Sequence, residues 1–154
     1  ELSKMSAIKS FTTKDVCAAL GISRSRLHQW AQLPPFSERP TQERSARRFS
    51  RADMLTFSVL QTLEDAFGVK SRSLSDVSVI IYRYLNAPRQ TSYKEWVFIP
   101  IESGDAHAVE EQSVARAGWV IDMTKERERI DVYLGVTTPQ QELLLMTDVK
   151  SSHQ

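Results

Sequence analysis

Apolar residues early in the chain recur at helical spacing in two short runs. Val16 and Leu20 stand four apart, and Leu27 and Trp30 three apart, on either side of Gly21-Ile22-Ser23. The pattern predicts two short helices joined by a tight turn. Thr12 or Thr13 caps the first, Gly21 ends it in the left-handed conformation that suits glycine, and Ser23 caps the second. With Val16, Leu20, Leu27 and Trp30 facing one another, Arg24, Arg26, His28 and Gln29 are directed outward.

After Trp30 the helical pattern stops at Pro34-Pro35, and a polar stretch framed by Phe36 and Phe49 is expected to fold as a hairpin. Ser50-Arg51-Ala52-Asp53 is a capping box with Asp in place of Glu, so a helix should run from Arg51 to about Phe67. Met54, Phe57, Leu60, Leu63 and Phe67 form its apolar stripe and Gly68 stops it. A further helix is expected from Ser75, with Val77, Ile80, Ile81, Tyr84 and Leu85 apolar, until Asn86-Ala87-Pro88 breaks it.

From Tyr93 the period changes to two: Val97, Ile99 and Ile101 alternate with Trp96 and Phe98. Trp119 to Met123 and Ile130 to Val136 flank a charged turn, Thr124 to Arg129, and read as a hairpin. A short helix fits Asp105 to Arg116, and another begins at Thr138-Pro139, where Thr suits the cap and Pro the first helical position. The fold class expected is α+β, with an antiparallel sheet in the second half.

Composition excludes more than it specifies. The chain has 154 residues, 41% hydrophobic and 25% charged, which is ordinary globular material. It has neither an apolar run of about 18 residues nor an apolar leader, so a cytoplasmic protein with no membrane association is expected. Cys17 is the sole cysteine, and His28, His107 and His153 are scattered, which argues against disulfides and metal sites. Nothing resembles a glycine-rich phosphate loop, a His-Glu-x-x-His motif or a nucleophile flanked by partners. Neither enzymatic activity nor a cofactor is expected.

Charge changes the picture more. Residues 1–90 hold 14 Lys and Arg against 8 Asp and Glu, whereas residues 91–154 hold 6 against 11. From Arg24 to Arg51 there are seven arginines, no lysine and only two acids, Glu38 and Glu43. Arginine alone favours forked recognition of phosphate and guanine. A helix of this kind in a major groove presents its first turns to base edges. Arg24, Arg26, His28 and Gln29 are therefore the candidate base contacts. Thr13 and Ser23, at helix N-termini, are candidate phosphate clasps. Arg44, Arg47, Arg48 and Arg51 are candidate wing contacts, with Arg48 or Arg51 alternatively paired to a nearby acid.

The order of these signals, Thr-x-x-Asp-Val-Cys-Ala-Ala-Leu-Gly-Ile-Ser, then Trp30, Arg47-Arg48-Phe49-Ser50, Asp53 and Gly68, resembles the winged helix-turn-helix of the MerR family over residues 11–86. Excisionases and phage terminase small subunits share related winged domains. The resemblance implies a winged helix-turn-helix DNA-binding domain at 11–87, preceded by a tail at 1–10. A small α+β domain at 92–149 would then dimerise or bind a partner. It implies a transcription regulator of a bacterium or bacteriophage, a homodimer reading an inverted repeat in double-stranded DNA and engaging RNA polymerase or another regulatory protein. The long dimerising helix of that family is not in the pattern, and His28-Gln29 stand where Arg-Tyr is common. An architectural DNA-binding factor and a protein-interaction module that has lost DNA binding are the alternatives.

Overall fold

Three hydroxyl side chains decide where the first helices begin. In the computed structural model, which describes residues 10–40, 47–88 and 94–135, helix α1 spans Thr13–Leu20. The Thr12 hydroxyl accepts from the Asp15 N–H (3.2 Å) while the Asp15 carboxylate accepts from the Thr12 N–H (2.9 Å), a reciprocal capping box. Gly21 ends α1 with φ 62°. Helix α2, Arg24–Ala31, starts from Ser23, whose hydroxyl accepts from the Arg26 N–H at 3.1 Å. Helix α3, Arg51–Asp65, starts from the expected box of Ser50 and Asp53. It ends before Phe67, which is 49% exposed and leaves the stripe that was to include it. Helix α4 spans Leu74–Asn86 and buries Val77, Ile81 and Tyr84.

The expected hairpin between Phe36 and Phe49 is not what the flanks form. Phe36–Glu38 is a single 3-10 turn. Phe49 pairs instead with Phe11, through N–H to carbonyl bonds of 2.7 and 2.8 Å. Two prolines precede Phe36, and a proline donates nothing to a ladder. Both rings are better used against Phe57, at centroid distances of 4.5 Å for Phe36 and 5.5 Å for Phe49. The tip, with Arg44, lies outside the described residues.

Three antiparallel strands follow: β1 (Trp96–Pro100), β2 (His107–Ala108) and β3 (Gly118–Asp122), in the order β2-β1-β3. Val97 lies opposite Ile121 and Ile99 opposite Trp119, on the face that meets the helices. Phe98, which alternates with them onto the other face, is buried too, at 1% exposed. It packs 5.3 Å from the His107 ring and over Gly118, where an added Cβ would lie 2.5 Å from the Phe98 ring. Residues 105–116 form β2 and turns rather than the expected helix: none of them is buried, and only Ala106 packs against the core, so no apolar stripe seats a helix there.

The larger correction concerns residues 123–133. The expected charged turn and second hairpin strand are one helix, α5 (Met123–Tyr133), capped by the Asp122 carboxylate. Met123, Glu126 and Ile130 recur at helical spacing and are buried, and Lys125 to Arg129 are all strong helix formers. The helix expected from Thr138 lies outside the described residues.

A single hydrophobic cluster contains Phe11, Val16, Leu27, Trp30, Phe57 and Tyr84 together with Val97, Ile121, Met123 and Ile130. The expected division into 11–87 and 92–149 is thus not a division of the core. The described residues form a mixed α+β structure with five α-helices and one small sheet. No described helix is long and apolar enough to cross a membrane.

Candidate nucleic-acid interface

Helix α2 has two distinct sides. Leu27, Trp30 and Ala31 are each 2% exposed, and the Trp30 ring stacks on Phe57 at 6.0 Å with an interplanar angle of 11°. The Trp30 indole N–H donates to the Glu64 carboxylate of α3 at 2.6 Å. These contacts hold the helix axis. Arg24, Ser25, His28, Gln29 and, just past the end, Gln32 are exposed and succeed one another along the opposite side. No acid lies within the helix, and among the described residues the side chains of Arg24, His28 and Gln29 make no hydrogen bond or ion pair.

Arg26 departs from the expected division of labour. Its guanidinium donates to both Asp65 oxygens, at 2.7 and 3.2 Å, lies 3.7 Å from Glu64, and stacks 4.8 Å from the Trp30 ring centroid. The bonds to Asp65 raise the Arg26 pKa, and the same bonds lower that of Asp65. Arg26 therefore ties α2 to the end of α3 instead of projecting outward beside Arg24.

The arginines beyond α2 are likewise divided. The Arg47 guanidinium donates to the Ala31 carbonyl at 3.3 Å, adding a donor at the C-terminus of α2. Arg51 pairs with Asp131 of α5 at 2.8 Å, the alternative already allowed for it. Arg48 is exposed, and its charge helps keep the Asp15 carboxyl low, after the larger effect of the Thr12 hydrogen bonds. Thr13 is the first residue of α1 and Ser23 the cap of α2, so both stand at helix N-termini as expected. The Cys17 thiol, between these features, is pushed up by burial despite the Arg24 charge.

Several residues that shape this surface carried no signal in the sequence analysis. Arg39 forms a two-bond pair with buried Asp53, both at 2.7 Å. The Asp53 box at the start of α3 was legible, but nothing local identified its cation. Gln61 and Arg129 both donate to the Leu20 carbonyl at 3.0 Å, so α3 and α5 together hold the end of α1 before its turn into α2. Arg129 also donates to the Gln61 side-chain Oε1. Glu126, 6% exposed, accepts from the hydroxyls of Ser58 and Thr62 and locks α5 onto α3. Lys14 adds an exposed cation on α1.

Elsewhere an open groove of about 640 Å³ runs between α4 and residues 100–105, lined by Val77, Ile80, Ile101, Asp76, Arg83 and Glu102. No tryptophan, tyrosine or phenylalanine lines it. Among the described residues no cluster of His, Cys, Asp or Glu could hold a metal ion. Comparison with family models, with curated proteins and with solved structures finds no match to this chain.

Proposed function

We propose that this chain binds double-stranded DNA by laying α2 in the major groove, as a sequence-specific transcription regulator of a bacterium or bacteriophage. The observation that carries the reading is the outer side of α2: a row of exposed Arg, Ser, His and Gln side chains, free of acids, on a helix fixed from behind by Leu27 and Trp30. That division between a fixed back and an open polar front is what base-edge readout requires. Arg24 offers a fork to guanine and Gln29 a two-bond match to adenine, with His28 beside them. Lys14 and Arg48 supply charge toward phosphate. The MerR-like order of signals adds a second copy of the chain, an inverted repeat as target, and RNA polymerase or another regulatory protein as partner.

Fluorescence anisotropy of a labelled duplex across a salt series tests this. If Lys14 and Arg48 neutralise two phosphates, log affinity falls against log salt with a slope of about −2. A random duplex pool passed over the protein should then yield a shared motif. Absence of any binding at low salt sinks the proposal.

One observation favours a second reading. Arg26, Arg39, Arg47 and Arg51 all have partners within the fold, which leaves fewer cations for phosphate than the sequence promises. A protein-interaction module using the same polar face would fit, and it would show no such salt slope.

A further inference from the structure

In the sheet order β2-β1-β3, β3 is an edge. The Met123 N–H donates to the Glu95 carbonyl (2.8 Å) and the Ile101 N–H to the Ala117 carbonyl (3.3 Å), which places residues 117 and 123 in bonded register with β1. Backbone groups alternate along a strand, so Trp119 and Ile121 also face β1, and the N–H groups of Gly118, Val120 and Asp122 point away from it. The Gly118 and Val120 carbonyls point the same way. The Asp122 carbonyl is turned into the first turn of α5, which Asp122 caps.

Among the described residues no strand pairs with this outer edge. It also lacks the features that usually guard one: there is no proline, no bulge in the register and no charge before Asp122 at its end. Val120, at its centre, is 41% exposed, and Trp96 beside it on β1 is 43% exposed.

We propose that two copies of this chain join through β3, antiparallel about a two-fold axis at Val120, to make one continuous sheet. About that axis each Val120 N–H meets the Val120 carbonyl of the other copy, and each Asp122 N–H meets the opposite Gly118 carbonyl. Every outward donor but that of Gly118 is used. The two Val120 side chains lie against each other, which covers apolar surface that the single chain leaves in water. Charge fits the same register. The strand's one carboxylate, Asp122, lies opposite a glycine and not opposite a second acid, while the Arg116 guanidinium is held within its own chain by the Ser103 carbonyl at 2.6 Å. The assembly closes at two copies, because the far edge of the sheet is β2, only two residues long.

This deepens the dimeric part of the function proposed above, but rests on sheet geometry alone. Sedimentation velocity on the full chain over a concentration series tests it, with expected masses moving from 17.6 kDa toward twice that value. Val120→Pro removes an N–H that the single chain does not use, at an edge position where proline is tolerated. It should keep the wild-type circular dichroism and remain monomeric. Val120→Lys places two like charges at the axis and should weaken association by about tenfold or more. It decides the matter if the proline variant fails to fold. A wild-type chain that stays monomeric at its highest soluble concentration overturns the proposal, as does dimerisation that neither substitution disturbs. A monomer that binds duplex DNA would overturn only the edge, and a dimer indifferent to DNA only the nucleic-acid reading.

Discussion

Asp65 holds Arg26 in a two-bond grip, at 2.7 and 3.2 Å, between the end of α3 and the first turn of α2. Glu64 and Asp65 sit at the negative end of a helix dipole, and Arg26 offsets both. The Asp65 side chain is 56% exposed, so the pair contributes at most about 1 kcal/mol to folding. Its larger effect is on what Arg26 can reach, since the carboxylate holds a cation of α2 against α3 and away from any polyanion.

Asp65→Asn should therefore release that cation. Melting should change little, while the salt slope of duplex binding should steepen by about one and affinity for random duplex should rise. An unchanged slope would mean that Arg26 serves only to join the two helices.

Gln29→Ala tests readout without touching the fold. The side chain is exposed, so stability should move by less than about 0.5 kcal/mol. Affinity for a selected site should fall by about 1 to 3 kcal/mol while binding to random duplex stays unchanged. Arg48→Ala should instead weaken both duplexes alike. Anisotropy on the two duplexes separates these outcomes.

Trp30→Ala removes the stacked partner of Phe57 and leaves the Glu64 carboxylate without its indole donor. A loss of about 3 to 5 kcal/mol in urea unfolding is expected. A loss below about 1 kcal/mol would show that α2 is held by something other than its buried side.

Gly118→Ala should be costly for a residue in a surface strand. The added Cβ would lie 2.3 Å from the Ile99 carbonyl oxygen and 2.5 Å from the Phe98 ring, so both the β1 backbone and the ring have to move. A destabilisation of about 1 to 3 kcal/mol is expected, and Phe98→Leu in the same chain should recover part of it. Thermal melts of the single and double variants give both quantities.

The Thr12–Asp15 box predicts a pH dependence. The Thr12 N–H and hydroxyl, at 2.9 and 3.0 Å, hold the Asp15 carboxyl below its usual value. A carboxyl whose folded pKa lies below its unfolded one, about 3.9, stabilises fully above that value and loses its contribution as pH falls through the folded pKa. Asp15→Asn should thus cost about 1 kcal/mol near neutrality, with the gap to wild type closing below about pH 4. A gap that stays constant down to acid would exclude the carboxylate as its source.

What could be read from the sequence was what local chemistry decides. Thr12, Gly21, Ser23 and the Ser50–Asp53 box place helix ends through bonds within three or four residues, and all lie where expected. Residues 123–133 were harder, because the short run Ile130 to Val136 fits a strand or a buried helix turn equally well. Only packing of Met123, Glu126 and Ile130 on the helices decides between them. The exposed front of α2 was legible from Leu27 and Trp30 alone. The fate of Arg26 was not, since its partner lies 39 residues along the chain; for Arg51 the pairing with an acid was an open alternative, but which acid was not legible, since Asp131 lies 80 residues away.

The hold of Arg129 on the Leu20 carbonyl joins residues 109 apart, and Ile130 closes an interior that begins at Phe11. A ribosome delivers these pieces in order. The nascent helices emerge well before the segment that seats them, so the outer side of α2 reaches its final setting only when synthesis of the described region is nearly finished. A chain released early would carry the right residues on an unfinished scaffold.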